Sequence, residues 1–204
     1  MTRIVAHRGA SREAPENTLP AFERAIEVGA DMIEFDVRRA FDGTLMISHD
    51  PVTRPAPELP SLEDALRLTQ GRIQLDVELK EPGCERDALE LLLRYFVPAD
   101  FCITSFLASP LHETRAINPG IRTGLIFARW DADVREACQS SDVDFLVAQH
   151  RLMNEAAQIG KPLFVWTVDD PVLTRTLFER PLVEAIVTND ARQAIALRSQ
   201  AQAH

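Results

Sequence analysis

The sequence predicts one α/β domain with the (β/α)8 TIM-barrel fold. Short apolar runs alternate eight times with segments whose apolar residues recur every three or four positions. This alternation predicts parallel strands that are joined by right-handed helical crossovers. Eight such units suit a closed barrel, although 204 residues is near the short end of that fold. The alternative is an open doubly wound sheet, which is disfavoured because no strand–helix junction carries its GxGxxG motif.

The strands are predicted where short runs rich in Ile, Val and Phe are bounded by polar or turn-forming residues. In chain order they are Arg3–His7, Met32–Val37, Ile73–Leu79, Phe101–Ser105, Arg122–Phe127, Asp144–Ala148, Leu163–Val168 and Glu184–Thr188. The helices are predicted from helical spacing of apolar residues, as at Leu89, Leu92 and Phe96. They are Leu19–Val28, Leu62–Thr69, Arg86–Tyr95, Pro110–Ile117, Ala132–Gln139, Asn154–Ile159, Pro171–Phe178 and Ala191–Arg198. Ser61, with Asp64 three residues later, is the predicted N-cap of the second helix.

Composition and charge exclude several classes of protein. The 22.8 kDa chain has 46% hydrophobic and 26% charged residues, which is ordinary for a globular protein and excludes a disordered one. Its formal net charge of −9 disfavours broad electrostatic binding to nucleic acid or anionic lipid. No apolar run approaches the ~18 residues of a membrane span, so no stable membrane anchoring is expected.

Cysteine usage and the N-terminal residues favour a cytoplasmic protein. Cys84, Cys102 and Cys138 are far apart and form no CxxC pair, which is typical of a reducing compartment. The first residues lack the apolar core of a signal peptide. The barrel domain is predicted to span residues 1–198, with a disordered tail at 199–204. The sequence predicts no particular oligomeric state.

Acidic side chains on two neighbouring strands predict a metal site. Because side chains alternate along a strand, Glu34 and Asp36 both face the barrel axis, and so do Glu78 and Lys80 at the end of the next strand. Buried acids repel one another and lose hydration unless a positive group joins them. A divalent cation, which prefers several carboxylate oxygens, meets this need better than a structural salt bridge. Asp76 lies one layer deeper and is expected to be structural.

Two histidines are predicted to reach the same site. His7 ends the first strand and is followed by Arg8, so this segment can supply a proton shuttle and a phosphate clamp, and a solvated loop is the alternative. Asp42-Gly43 is a strong signal for a two-residue hairpin turn. A turn at these two residues pairs Phe41 with Thr44 and places His49 opposite Asp36. A surface hairpin with an incidental histidine is the alternative.

The charges of the site predict an anionic substrate. Three acids, Arg8, Lys80 and a divalent ion together leave a small net positive charge, which suits a phosphodiester anion. Without the ion the same residues carry net negative charge and repel that anion. Trp166 is a candidate apolar wall for the organic part of the substrate, and ordinary barrel packing is the alternative.

The motifs of this sequence, and the order in which they occur, resemble those of the glycerophosphodiester phosphodiesterase family. The (β/α)8 barrel of that family is related to phosphatidylinositol-type phospholipase barrels. The matching segments are His7-Arg8-Gly9, Pro15-Glu16-Asn17-Thr18, Ala21-Phe22, Gly29–Val37, Asp42-Gly43, His49-Asp50-Pro51, Glu78-Leu79-Lys80, Val165–Val168 and Ile186–Asn189. They span nearly the whole chain, and the ordered set is specific although no single piece is. One departure stands out: family members usually carry an insertion after the His-Asp-Pro segment, and here only about Val52–Pro60 precedes the next helix.

The resemblance implies a role for each candidate residue. His7 and His49 would form the general acid/base pair, and the metal ligands, for Mg²⁺ or Ca²⁺, would be Glu34, Asp36 and Glu78. Arg8 and Lys80 would hold the phosphate. Asn17 would orient a ligand or an active-site loop.

The resulting expectation is metal-dependent hydrolysis of a small-molecule glycerophosphodiester to sn-glycerol 3-phosphate and an alcohol. One alternative is another phosphodiesterase activity, such as that of a lysophospholipase D, on a bulkier diester. It predicts an apolar groove where the insertion is missing. The other alternative is a barrel that binds a phosphorylated ligand without turnover, and the pair of histidines argues against it.

Overall fold

A computed structural model of the chain describes residues 1–202. Within that range the strands form one sheet whose parallel members close into a barrel. They are β1 (Arg3–His7), β2 (Met32–Arg39), β3 (Leu45–Ile47), β4 (Gln74–Leu79), β5 (Phe101–Ser105), β6 (Arg122–Phe127), β7 (Phe145–Gln149), β8 (Leu163–Trp166) and β9 (Val183–Thr188). The closure occurs at β1, which pairs in parallel with β9 on one side and with β2 on the other. Apart from β3, all of these strands are parallel, which confirms the predicted eight-stranded barrel.

Helices surround this barrel and follow its strands in alternation. They are α1 (Leu19–Glu27), α2 (Leu62–Thr69), α3 (Glu85–Tyr95), α4 (Ala108–Ile117), α5 (Ala132–Gln139), α6 (Met153–Ala157), α7 (Pro171–Phe178) and α8 (Ala191–Gln202). The second helix begins at a capping box in which the Ser61 and Asp64 side chains each accept from the other residue's backbone N–H. Among the described residues, no helix combines the length and apolar character that crossing a bilayer requires.

The helix α8 corrects one prediction. It extends to Gln202, so residues 199–202 are helical rather than a disordered tail. Residues 203 and 204 lie outside the described part of the chain.

The main core lies between the barrel and the helices. The outward faces of the strands, with Phe35 as an example, pack on the inward stripe of the helices, with Phe22 as an example. The two rings lie 5.4 Å apart between centroids, and both side chains are fully buried. Each such burial contributes about 1.5–3 kcal/mol to folding, which makes the alternation of apolar runs the main determinant of the architecture.

The barrel interior has a second, smaller core. Its members alternate with the outward-facing residues along their strands: Val5, Met32, Cys102, Ile126, Phe145, Val147, Phe164, Ala185 and Val187. Gly124 on β6 makes room for one of them, because a Cβ added there would lie 2.4 Å from the Phe145 ring.

The hairpin after β2 has a different register from the predicted one. Strand β3 pairs antiparallel with β2, and Val37 lies opposite Ile47, which places Asp36 opposite Ser48. The predicted pairing of Asp36 with His49 is therefore wrong by one residue. The reason is that the turn has three residues, 41–43, closed by a hydrogen bond from the Gly43 N–H to the Ala40 carbonyl. Gly43 takes the left-handed conformation, φ +91°, that such a loop needs at its last position.

Gly124→Ala tests the packing of the barrel interior. The added methyl group collides with the Phe145 ring, so the free energy of unfolding should fall by about 1–3 kcal/mol, as measured by urea denaturation. Gly120→Ala is the matched control, because its new Cβ would meet only the Asn118 side chain, at 3.2 Å. Equal stability of the two variants would contradict this packing.

Candidate active site

A pocket opens at the carboxyl ends of the barrel strands, the end where active sites of this fold lie. Its polar lining comes mainly from β1, β2, β4 and β5. These residues are His7, Arg8, Glu34, His49, Asp76, Glu78, Lys80 and Thr104. Its apolar lining comes from β6 to β9 and the loop after β5. These residues are Phe106, Ile126, Val147, Trp166 and Val187. The pocket therefore has one charged half and one apolar half.

The three predicted metal ligands lie together. Each of Glu34, Asp36 and Glu78 offers a carboxylate oxygen within 4.8 Å of the others, and all three residues are buried. The barrel register explains the proximity, because Asp36 on β2 lies directly beside Glu78 on β4. Burial, and then the neighbouring carboxylates, raise the pKa of Glu34 well above its usual value. The same two causes, partly offset by Lys80, raise the pKa of Glu78 to about 7.

Asp36 is the best-compensated of the three acids. It is fully buried and does not itself line the pocket. Burial alone would raise its pKa, but Lys80, Asn17 and Arg8 outweigh that effect and hold the pKa below its usual value. The contacts are 3.1 Å from Lys80 Nζ to Oδ1, 3.2 Å from Arg8 Nε to Oδ2, and 2.7 Å from the Asn17 amide N–H to Oδ2. Asn17 is buried against this carboxylate and is not among the residues that line the pocket.

The turn after β1 positions Arg8 against the same cluster. Arg8 and Gly9 both have left-handed backbone conformations, with φ +54° and +82°. Gly9 packs closely on α1, and a Cβ there would lie 2.7 Å from the backbone of Ala21. Through this turn the Arg8 backbone N–H donates to Glu34 Oε2 at 2.9 Å. The His-Arg-Gly motif therefore sets both the side chain and the backbone of Arg8 against acidic groups.

The acidic cluster fits a divalent cation. Asp36 Oδ1 and Glu78 Oε1 are buried and lack a well-aligned hydrogen bond, although Lys80 Nζ lies 2.6 Å from the glutamate oxygen. A cluster of three carboxylates, two of which have such an oxygen, is the donor set that hard cations prefer. Asp76 is not part of it: its carboxylate accepts from the Thr104 hydroxyl at 2.6 Å, and burial raises its pKa to about 6.

The two histidines lie at the pocket in different environments. His7 is mostly buried, with Nε2 3.9 Å from Glu34 Oε2 and Nδ1 2.7 Å from Asn189 Oδ1. Burial lowers the pKa of His7. The His49 side chain is 47% exposed, and its Nδ1 lies 3.0 Å from Asp50 Oδ1. His49 thus reaches the predicted pocket, although Ser48 rather than His49 pairs with Asp36.

Trp166 lies in the apolar half of the pocket, and its indole N–H donates to the Val147 carbonyl at 3.0 Å. Phe106, which the sequence analysis did not assign a role, meets it edge to face with 5.7 Å between ring centroids. Asn189 and Asp169, which the sequence alone assigns no role, lie behind His7. Their positions just after the last two strands could have indicated that they belong to the site, because the ends of the strands converge at the mouth of a barrel.

The fold and this pocket define a class of protein. A (β/α)8 barrel whose mouth combines an acidic cluster, two histidines and two cationic side chains, Arg8 and Lys80, is a hydrolase-type barrel suited to phosphate esters. Comparison with known proteins supports one family. A sequence model described as the glycerophosphoryl diester phosphodiesterase family matches residues 7–72.

Curated relatives and a solved structure agree with that match. A glycerophosphodiester phosphodiesterase of Caldanaerobacter subterraneus subsp. tengcongensis is 25% identical over 96% of this chain and 97% of its own length. One from Bacillus altitudinis is 54% identical, covering 62% of this chain and 66% of its own. The crystal structure of a phosphodiesterase from Oleispira antarctica, in complex with the product sn-glycerol-3-phosphate, superposes with a TM-score of 0.85 at 21% identity, covering 98% and 97% of the chains. The family model, the relatives and the solved structures together support the glycerophosphodiester phosphodiesterase family for this chain.

Glu78→Gln tests the acidic cluster through stability. Glu78 in the folded, metal-free protein keeps its proton up to a pH of about 7, whereas in the unfolded chain it loses it near its usual value of 4.5. The folded state therefore binds more protons between these values, and this group lowers the free energy of unfolding by about 3 kcal/mol as the pH rises from 4.5 through 7. Urea denaturation in chelator at pH 5 and pH 8 should show a smaller decrease in Glu78→Gln than in the wild type.

The control is Glu58→Gln, which changes an exposed glutamate and should keep the wild-type pH dependence. Adding Mg²⁺ or Ca²⁺ at pH 8 should stabilise the wild type more than Glu78→Gln. Identical pH profiles for the two variants would contradict the raised pKa, and an ion effect that does not depend on Glu78 would contradict the ligand set.

Proposed function

We propose that the chain hydrolyses glycerophosphodiesters to sn-glycerol 3-phosphate and an alcohol, with a divalent metal and two histidines as acid and base. The observation that carries this proposal is that His7 and His49 line the same pocket as Glu34 and Glu78. Binding alone does not need two proton-transfer groups beside a metal-type cluster, which argues against a non-catalytic barrel. The activities named for the relatives, and the product bound to the Oleispira antarctica enzyme, support the same substrate class.

Glu34, Asp36 and Glu78 would hold the metal, which we propose to be Mg²⁺ or Ca²⁺ because all three donors are carboxylates. When bound, such an ion supplies positive charge that stabilises the charge developing on the phosphate oxygens. Arg8 and Lys80 lie against the same carboxylates and line the pocket. Once a divalent ion compensates the acids, the charge of these two side chains becomes available to hold the phosphodiester anion.

The histidines would move the protons of the reaction. One takes a proton from the nucleophile, and the other gives a proton to the oxygen of the leaving alcohol. The nucleophile is either water or a neighbouring glycerol hydroxyl, and in the second case water opens the resulting cyclic phosphate. The pKa of His7, lowered by burial, keeps its ring neutral near pH 7 and favours it as the proton acceptor.

Replacing either histidine tests this assignment. His7→Ala and His49→Ala should each lower kcat on glycerophosphocholine by at least about a hundredfold, because each removes one proton-transfer group. Both variants should keep the stabilisation by Mg²⁺ or Ca²⁺, since neither removes a carboxylate ligand. Near-wild-type turnover in either variant would refute the role of that histidine, and tight binding without any hydrolysis by the wild type would refute the enzyme itself.

A bulkier diester is the second candidate substrate. Phe106 and Trp166 form an apolar wall beside the charged half of the pocket, and Phe106 and the following Leu107 are both exposed. Only the short segment Val52–Pro60 lies between His49-Asp50-Pro51 and Ser61, the N-cap of α2. An apolar wall at an open mouth suits a long or apolar leaving alcohol such as that of a lysophospholipid.

A substrate panel decides between the two candidates. If the wall binds the leaving alcohol, kcat/KM should be higher for a lysophospholipid than for glycerophosphocholine or glycerophosphoethanolamine. Phe106→Ala should then reduce the lysophospholipid value selectively. Phe41→Ala, which removes an exposed aromatic ring from the hairpin loop, is the control. Higher kcat/KM for the two small diesters, unchanged in Phe106→Ala, would exclude the bulkier substrate.

A further inference from the structure

We propose that Asn189, itself oriented by Asp169, is a positioning residue that holds His7 with its ring proton on Nδ1. The unprotonated Nε2 is then directed into the pocket. This inference rests on the proposed function, because it concerns one of the two histidines that would transfer protons.

Asp169 fixes the orientation of the Asn189 side chain. The Asn189 Nδ2 group lies 2.7 Å from Asp169 Oδ2, and the other carboxylate oxygen accepts from the Asn189 backbone N–H at 2.8 Å and the Thr188 hydroxyl at 2.9 Å. Although burial alone would raise its pKa, these hydrogen bonds hold the pKa of Asp169 below its usual value. An ionised carboxylate only accepts hydrogen bonds, so the amide must present its NH₂ group to Asp169.

The opposite end of the amide then determines the tautomer of His7. Asn189 Oδ1 faces His7 Nδ1 at 2.7 Å and also accepts from the Ser11 hydroxyl at 3.1 Å. An amide oxygen donates nothing, so a hydrogen bond at this distance requires the proton on Nδ1. In the neutral ring, Nε2 therefore carries the lone pair. That atom lies near Glu34 Oε2, on the side of the charged half of the pocket.

The other tautomer is disfavoured by the same contacts. A proton on Nε2 would leave the Nδ1 lone pair against the lone pairs of Asn189 Oδ1. Flipping the amide would relieve that contact only by turning its oxygen toward the Asp169 carboxylate. The series of hydrogen bonds Asp169–Asn189–His7 is thus consistent with only one arrangement of donors and acceptors. A ring held in one tautomer is ready to act without rearrangement.

Barrel closure creates this chain of contacts. Asp169 and Asn189 follow β8 and β9, and His7 ends β1, which pairs with β9. Three consecutive strands of the closed barrel therefore contribute one residue each, although His7 and Asn189 are 182 positions apart in the sequence.

Substitutions that remove or exchange the Asn189 amide and the Asp169 carboxylate test the proposal through enzyme activity. Asn189→Ala should lower kcat on glycerophosphocholine by about 10–100-fold with little change in KM, because the defect lies in proton transfer rather than in binding. Asn189→Asp alone places two carboxylates in contact and should also lower kcat. The double variant Asp169→Asn/Asn189→Asp restores an acceptor for His7 and a donor to that acceptor, so its kcat should return to within about fivefold of the wild type. Asn118→Ala, at the other end of the barrel, is the control.

A spectroscopic measurement tests the tautomer without substrate. The ¹⁵N NMR signals of the neutral His7 ring should show a protonated Nδ1 and an unprotonated Nε2 in the wild type and the double variant. Asn189→Ala should show a mixture of tautomers. Because the wild-type spectrum alone reports the tautomer, this measurement tests the proposal even if a single variant does not fold.

The outcomes separate this inference from the proposed function. Hydrolysis by a wild-type enzyme whose His7 carries its proton on Nε2 would overturn the positioning role alone, as would an unchanged kcat in Asn189→Ala. The expected tautomer in a protein that hydrolyses none of the diesters would overturn the proposed function and leave the positioning of His7 supported.

Discussion

The structure of the pocket depends on the electrostatic balance of three carboxylates that are buried at the mouth of the barrel. At their observed spacing, Glu34, Asp36 and Glu78 destabilise one another unless positive charge lies among them. Lys80 and Arg8 provide part of that charge, and the raised pKa values of Glu34 and Glu78 show that the compensation is incomplete. Burying these acids lowers the folding stability below that of an apolar interior, and their remaining negative charge would favour a bound cation.

The barrel makes this arrangement possible because its interior is asymmetric. Strands β6 to β9 place apolar side chains inside the barrel. These side chains contribute to the inner core and form most of the apolar half of the pocket. Strands β2 and β4 place acids at equivalent positions on adjacent strands, where parallel register holds them side by side. For the proposed diester substrate, this division would direct the phosphate toward the charged half and the organic substituent toward the apolar half.

Much of this could be predicted from the sequence because it depends on local periodicity. Alternating apolar runs defined the eight barrel strands, and the two-residue repeat on β2 and β4 indicated that Glu34, Asp36 and Glu78 share the interior. The hairpin register could not be predicted in this way. Asp42-Gly43 fits both a two-residue turn and the end of a three-residue turn, and the choice depends on how the flanking strands pair. His49 lines the pocket from a position beyond Ile47, the last residue of β3, so the strand register does not by itself set the direction of its side chain.

The sequence by itself determined the fold class, the acidic cluster and the presence of histidines near it, since side-chain alternation and turn chemistry act over a few residues. The tertiary structure alone decided which groups support those residues. Asn17 contacts Asp36, and Asn189 and Asp169 lie behind His7, through contacts that span up to 182 positions of the chain. The contact of His7 with Asn189 arises only when the first and last strands pair and close the barrel, and no local pattern in the sequence specifies it.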